Sequence, residues 1–378
     1  MKRKILSALL CAVMVSTMVV GCSNGGQEAS GNSTEAAKST QSSEDSTPTT
    51  DDKDSGDKSA SGDLKIELVA KGFQHDFWKA VKLGAEKAGE ENGIAINFVG
   101  PKDESAIAEQ VEQLNNAMNK KPNAICLAAL DTEAVLGALD KAKTDKIPII
   151  GFDSGVPGAD SIAANAATDN YAAGELAAEK LYELIEDKVT DPAEVVRIGV
   201  VSQDATSQSI GDRTGGFIDK MVSLIGEDKA SVEGHDKYNK KVDDAKVIIE
   251  VGIPATVEDA ACVTVANTLL NKNDLIAIYG SNEFSAKNIV TANESLQKLG
   301  PDKVIGVGFD AGAIQLQAVR DGILAGSVTQ DPVQIGYQAV SLAIKAANGE
   351  SVEDVDTGCL FYTKDNMEDD DIAPCLYE

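Results

Sequence analysis

Ile147-Pro148-Ile149-Ile150-Gly151-Phe152-Asp153-Ser154 is an apolar run that stops abruptly at an acid. A short continuous apolar run closed by polar residues marks a strand buried on both faces. The same figure returns at 304–309, which ends at Asp310, and at 275–279, which leads to Asn282. Further strand-like runs lie at 65–70, 94–99, 124–127, 195–200 and 245–251. Segments of helical period fall between them at 77–91, 105–119, 170–186, 258–271 and 284–299. Buried strands alternating with amphipathic helices predict an α/β fold with parallel sheets covered on both faces. The strands are too many for one comfortable doubly wound sheet, so two doubly wound lobes are expected.

The informative polar residues come just after these strands. Asp153, Asn282 and Asp310 each follow a run, and the segment 71–78 follows the first one. In open parallel sheets, ligands bind in the crevice outside the strand carboxyl ends. Acids and amides at that edge suit a polyhydroxylated small molecule, because each of its hydroxyls both donates and accepts. Any one of these residues alone reads as the cap of the next helix. Several together, beside the pair Phe77-Trp78, point to a binding edge. Aromatic residues are 4% of the chain and Trp78 is its one tryptophan. The pair either fills the core at the start of a helix or packs against the CH face of a pyranose or furanose.

The formal net charge of −27 over 378 residues argues against a nucleic-acid or anionic-lipid surface. Much of the excess lies near the N-terminus and in the run 368–371, so it speaks for solubility. The two histidines, His75 and His235, have no metal-like spacing, and neither a metal nor a cofactor is expected. Gly306-Val307-Gly308 reads as strand packing and not as a nucleotide loop. Cys126 and Cys262 sit in apolar runs and read as buried thiols. Cys359 and Cys375 are a candidate disulfide in an extracytoplasmic protein, and no CxxC motif supports a redox role.

At the N-terminus, Lys2-Arg3-Lys4 precedes an apolar stretch, 5–20, too short and too weakly flanked for a permanent membrane span. It ends at Gly21-Cys22, which resembles the lipobox of bacterial lipoproteins. The resemblance implies a signal peptide at 1–21 and a lipid on Cys22. Residues 22–62 are Ser, Thr, Gly, Asp, Glu and Lys with almost no large apolar side chain, and read as a disordered linker. A flexible chain of that length reaches on the order of 35 Å. The expected location is extracytoplasmic, tethered by lipid to the outer face of the bacterial cell membrane. About 315 residues remain for the folded body.

Across that body the residues resemble the type I periplasmic sugar-binding proteins of ABC transporters, the ribose- and galactose-binding kind. The marks are Gln74-His75-Asp76-Phe77-Trp78 with Gly84-Ala85, Asp131-Thr132-Glu133-Ala134, Ile147 to Ser154, Thr168-Asp169-Asn170 with Gly174, and Arg213 with Gly216-Phe217. Ser281-Asn282-Glu283, Gly306 to Asp310, and Thr329-Gln330-Asp331-Pro332 with Gly336 complete the series. The resemblance implies two lobes joined by a three-segment hinge, the N-terminal one from 63–168 and 331–357, the C-terminal one from 169–330 and 358–378. It implies that Phe77 and Trp78 stack on a sugar ring. His75, Asp153, Asn282, Asp310 and Gln330 would bond its hydroxyls.

Some positions depart from the ribose-binding pattern. Ser154 stands where an arginine follows the first aspartate, and Val257 where a third aromatic would close the sandwich. Arg213 is the candidate arginine of the second lobe, with Gly211 as the alternative position. Lys71 and Gly100-Pro101 look more like the rhamnose- and furanosyl-autoinducer-binding relatives, and Gln208 is a further candidate contact. The ligand class is therefore a pentose, hexose, deoxyhexose or sugar-like signal. No catalytic residue is expected. The implied partner is a membrane permease, with a chemoreceptor or kinase ectodomain as the alternative, and the protein is expected to be a monomer. A glycosidase would need two carboxylates set across one bond, which sequence does not show.

Overall fold

The computed structural model describes residues 64–73 and 75–378; the expected signal peptide, linker and Cys22 lie outside the described residues. The apolar runs build two sheets. The first holds β1 (Ile66–Val69), β2 (Ile96–Val99), β3 (Ala124–Leu127), β4 (Ile149–Phe152), β5 (Ile162–Ala167) and β12 (Val355–Asp356). Its order is β12-β5-β4-β3-β1-β2, and every pairing is parallel. The second holds β6 (Val196–Val201), β7 (Ala230–Glu233), β8 (Val247–Gly252), β9 (Leu275–Gly280), β10 (Ile305–Phe309), β11 (Gly326–Gln330) and β13 (Cys359–Tyr362). Its order is β13-β11-β10-β9-β6-β8-β7, parallel except where β13 runs against β11. The α/β architecture with two parallel-sheet lobes is as the sequence implied.

β5 and β11 were not legible as strands. β5 reads IAANAA and β11 reads GSVTQ, small and polar residues in place of an apolar run. β11 is nonetheless fully buried, because β10 and β13 flank it and helices cover it. Cys359 and Cys375 are free thiols, so the candidate disulfide is not formed. Cys126 and Cys262 are buried free thiols.

Helices α1 (Asp76–Asn92), α2 (Ile107–Asn119) and α3 (Leu136–Asp145) flank the first sheet, and α5 (Gln208–Ile225), α6 (Asp259–Leu270), α7 (Glu283–Leu296) and α8 (Ala313–Arg320) belong with the second. Two more are exchanged between the lobes. α4 (Asn170–Val189) leaves β5 of the first sheet yet packs on α5. α9 (Pro332–Ala347) leaves β11 of the second sheet yet packs on α1 and on β3, β4 and β5. Asp169 and Asp331 cap these helices, accepting from Ala172 N at 3.0 Å and Gln334 N at 2.9 Å. A third crossing runs from β12 to β13, where Thr168 Oγ1 donates to Gly358 O at 3.0 Å.

Both exchanged helices seat on glycine. A side chain at Gly336 would begin 1.9 Å from Val81 O of α1, and one at Gly84 would begin 1.8 Å from Val333 O. In the other lobe, Gly174 meets Arg213 O at 2.2 Å and Gly216 meets Tyr171 O at 2.1 Å by the same construction. Backbone against backbone leaves no side chain to yield, so each crossing admits glycine alone.

Candidate functional site

The carboxyl ends of both sheets face one another, and the polar residues at those ends meet there. Lys71 follows β1, Glu104 follows β2 and Asp153 follows β4; Gln203 follows β6, Asn282 follows β9, Asp310 follows β10 and Gln330 ends β11. Asp153 and Asp310 occupy matching positions, each after a Gly-Phe pair and each with positive φ, 55° and 70°. Aspartate tolerates this left-handed conformation better than most residues, and it turns the chain sharply out of the strand.

A small cavity is lined by Lys71, His75, Phe77, Trp78, Glu104, Asp153, Ser209, Ile210, Arg213, Asn282, Glu283, Asp310 and Gln330. Nine of the ten candidate contacts read from sequence are in that lining. Gln208 is not: it faces an adjoining cavity on the hinge side with Asp169, Asp212, Asp354 and Asp356. The helix explains this: Gln208 shares a face of α5 with Asp212, whereas Ser209 and Ile210 are rotated from it by about 100° and 200°.

Arg213 is the centre of the charge arrangement. Its guanidinium lies 3.9 Å from the Phe309 ring centroid, and its Nε donates to Asn170 Oδ1 at 2.7 Å. Nη2 stands 4.0 Å from Asp153 Oδ1 in one lobe and Nη1 3.6 Å from Asp310 Oδ2 in the other. Gly211, the alternative position, has open space in place of a side chain. Asp310 also accepts from Gln330 Nε2 at 2.6 Å and from Glu283 N at 3.1 Å. Asn282 serves twice: Oδ1 caps α7 through Ser285 N at 3.0 Å, and Nδ2 donates to Gln203 Oε1 at 2.6 Å.

Glu104, Gln203 and Glu283 are site residues that the sequence reading missed. Glu104 is buried, accepts from Trp78 Nε1 at 2.8 Å and from Gln203 Nε2 at 2.8 Å, and has Lys71 Nζ at 3.7 Å. Burial opposes the charges of both members of the Glu104–Lys71 pair, yet their mutual attraction prevails. The Glu104 carboxyl is held below its usual range and the Lys71 ammonium above its own. Burial pushes Asp153 up to about 6, against the pull of Lys71 and Arg213. Burial, reinforced by Asp310, pushes Glu283 up to about 8. His75 is lowered by burial and stands 3.9 Å from both Glu104 and Glu283.

The lobes are closed on one another. Thr132 N donates to Thr206 O at 3.2 Å, Thr206 Oγ1 to Leu130 O at 3.2 Å, and Ser209 N to Ser154 Oγ at 3.3 Å. The Gln203–Glu104 bond crosses the same gap, where His75 also stands 3.9 Å from Glu283. Trp78 and Phe77 meet edge to face at 86° with centroids 5.0 Å apart, and Trp78 also abuts Phe152. Both rings belong to the core of the first lobe as well as to the cavity wall. Val257 lines a neighbouring gap between the lobes with Glu104, Gln203 and Leu130. Among the described residues, no group of His, Cys, Asp and Glu is set to hold a metal, and no helix is long and apolar enough to cross a membrane.

The profile described as "Periplasmic binding protein domain" matches residues 66–351. A solved structure from Brachyspira murdochii, described as an ABC transporter, LacI family transcriptional regulator, is 36% identical, with 84% of this chain and 99% of that one covered and a TM-score of 0.71. An ABC transporter solute-binding protein from Agrobacterium vitis, solved with bound D-fucose, is 32% identical over 83% of this chain and 100% of its own, with a TM-score of 0.70. The ribose import binding protein of Haemophilus influenzae is 25% identical over 296 residues, 78% of this chain and 89% of that protein.

Proposed function

This chain belongs to the periplasmic binding protein family, among its type I sugar-binding members, and we propose that it captures one monosaccharide between its lobes for delivery to an ABC-transporter permease. The observation that carries the reading is a buried polar cavity walled from both lobes. Several of its polar atoms have no protein partner: both His75 ring nitrogens, Gln330 Oε1 and Glu283 Oε2. Each unmatched buried polar atom costs about 1–3 kcal/mol, so a guest rich in hydroxyls is favoured in the closed form. Such a ligand shifts the open–closed equilibrium through contacts that only the closed form completes. The Phe77 and Trp78 rings supply the apolar wall, and Asp153, Asn282, Asp310, Gln330, His75, Lys71 and Arg213 supply the polar grip.

Two of the named relatives are described as binding proteins, and the site suits binding without chemistry. Asp153 and Asp310 share one guanidinium rather than facing each other across a bond to be cut. We place the protein outside the cytoplasm, held by a lipid on Cys22 and acting as a monomer.

A thermal-shift screen over pentoses, hexoses and deoxyhexoses tests the reading, since a ligand that binds only the native state raises the melting temperature. At least one neutral or substituted sugar should stabilise the protein and be recovered chemically unchanged. A sugar converted to product, or no response across the panel, overturns it. In cells, Cys22→Ala should move the protein from the membrane to the soluble fraction; retention at the membrane removes the lipid anchor from the proposal.

A further inference from the structure

The cavity wall carries more acid than base. Its lining holds the carboxyl groups of Glu104, Asp153, Glu283 and Asp310 but only two permanent cations, Lys71 and Arg213. Both cations are already engaged, Lys71 with Glu104 at 3.7 Å and Arg213 with Asp153 at 4.0 Å and Asp310 at 3.6 Å. Among the described residues, Glu283 is left with His75, 3.9 Å away, as its one neighbour of basic type within ion-pair distance. Lys287 on the next turn of α7 is turned to Asp259, at 2.9 Å.

Glu283 is also the least satisfied of the four. The residue is 8% exposed. Among the described residues its Oε2 is buried without a hydrogen-bond partner, and its Oε1 lies 3.9 Å from the equally unpartnered His75 ring. Asp310 stands close behind, its carboxylate accepting the Glu283 backbone N–H. A hydroxyl placed here would match one lone pair and leave the surplus charge of the two acids uncompensated. An ammonium group would match both the lone pair and the charge, and charge-assisted hydrogen bonds are roughly twice as strong as neutral ones.

Resting on the sugar-site reading above, we propose that Glu283 makes this a site for an aminodeoxy sugar, its carboxylate taking the ligand's ammonium group with Asp310 as the second acid. In the empty protein the surplus is relieved by a proton, consistent with the rise of Glu283 to about 8 under burial and the Asp310 and Asp76 charges. The amine replaces that proton.

Calorimetric titration of the intact protein at pH 6.5 tests this, using hexoses bearing an amine at carbon 2, 3 or 6, each beside its parent hexose. At least one amino sugar should bind about tenfold or more tighter than its parent. Its binding should release a proton, seen as a heat that changes with the buffer's ionisation enthalpy. Glu283→Gln should erase both the preference over the parent hexose and the proton release. Parents that bind as well as or better than every amine overturn the inference and leave the sugar reading intact. A preference that survives Glu283→Gln removes Glu283 from the role. Failure of every member of the panel to bind overturns this inference, and the thermal screen decides the sugar reading separately.

Discussion

Arg213→Ala should weaken binding of the sugar identified by the thermal screen by about a hundred- to a thousandfold. The reasoning is electrostatic. Arg213 is 2% exposed and stands between Asp153 of one lobe and Asp310 of the other. Removing one member of a buried ion cluster costs about 3–5 kcal/mol, because the remaining charges stay desolvated and unmatched. Here two carboxylates would repel across the gap that must close on the ligand. Arg213→Lys keeps the charge but not the planar fork or the stacking on Phe309, so an intermediate loss is expected. Circular dichroism separates misfolding from lost affinity, and titration gives the affinity itself. A folded Arg213→Ala protein that binds within about fivefold of the parent chain would remove Arg213 from the site.

Raising the pH from 7 to 9 should shift the ligand-free protein toward its open form. Glu283 is pushed up to about 8 in the closed form by burial and Asp310, from an ordinary value of 4.5. The closed form therefore binds a proton that the open, solvated carboxyl has already released. Closure is favoured while Glu283 stays protonated and loses that advantage as pH climbs through about 8. Between pH 7 and 9 that loss is about 1.4 kcal/mol, roughly a tenfold shift in the ratio of closed to open forms. Asp153, raised to about 6, acts with the same sign at lower pH. His75 acts oppositely: its lowered value makes its protonation a cost to the closed form, a cost felt below about 6.5. Small-angle scattering should then show the radius of gyration rising between pH 7 and 9, and Glu283→Gln should flatten the curve. An unchanged radius over that interval in the parent protein contradicts the argument.

Much of this site was written in the chain because strand ends are easy to find. The Gly-Phe-Asp figure at 151–153 and again at 308–310 placed one acid at the mouth of each sheet. Both acids lie in the cavity lining. Glu104 was hidden for a different reason: it stands past Val99 on the loop before α2, and only the folded loop brings it under Trp78 Nε1. Glu283 was hidden by a plausible local role, since an acid in the first turn of a helix suits the helix dipole. Gln208 shows the converse error. A polar run at the start of a helix gave no indication of which side faced the guest, and one residue's rotation about α5 decided it. β5 and β11 escaped because small and polar residues fill them, and burial of β11 comes from neighbours distant in sequence.

The exchange of α4 and α9 bears on biosynthesis. The first half of the molecule is completed by a wall, α9, that is synthesised only after the chain has passed through most of the second half. As the chain emerges, the opening 64–167 segment has its five parallel strands but lacks the helix that covers Cys126 and Ile150 until residues 332–347 have left the ribosome. The nascent first half must wait, with an apolar flank bare, through the making of nearly the whole second half. The first half is no stand-alone module, and a fragment ending before the first crossing would be left with a bare, sticky flank.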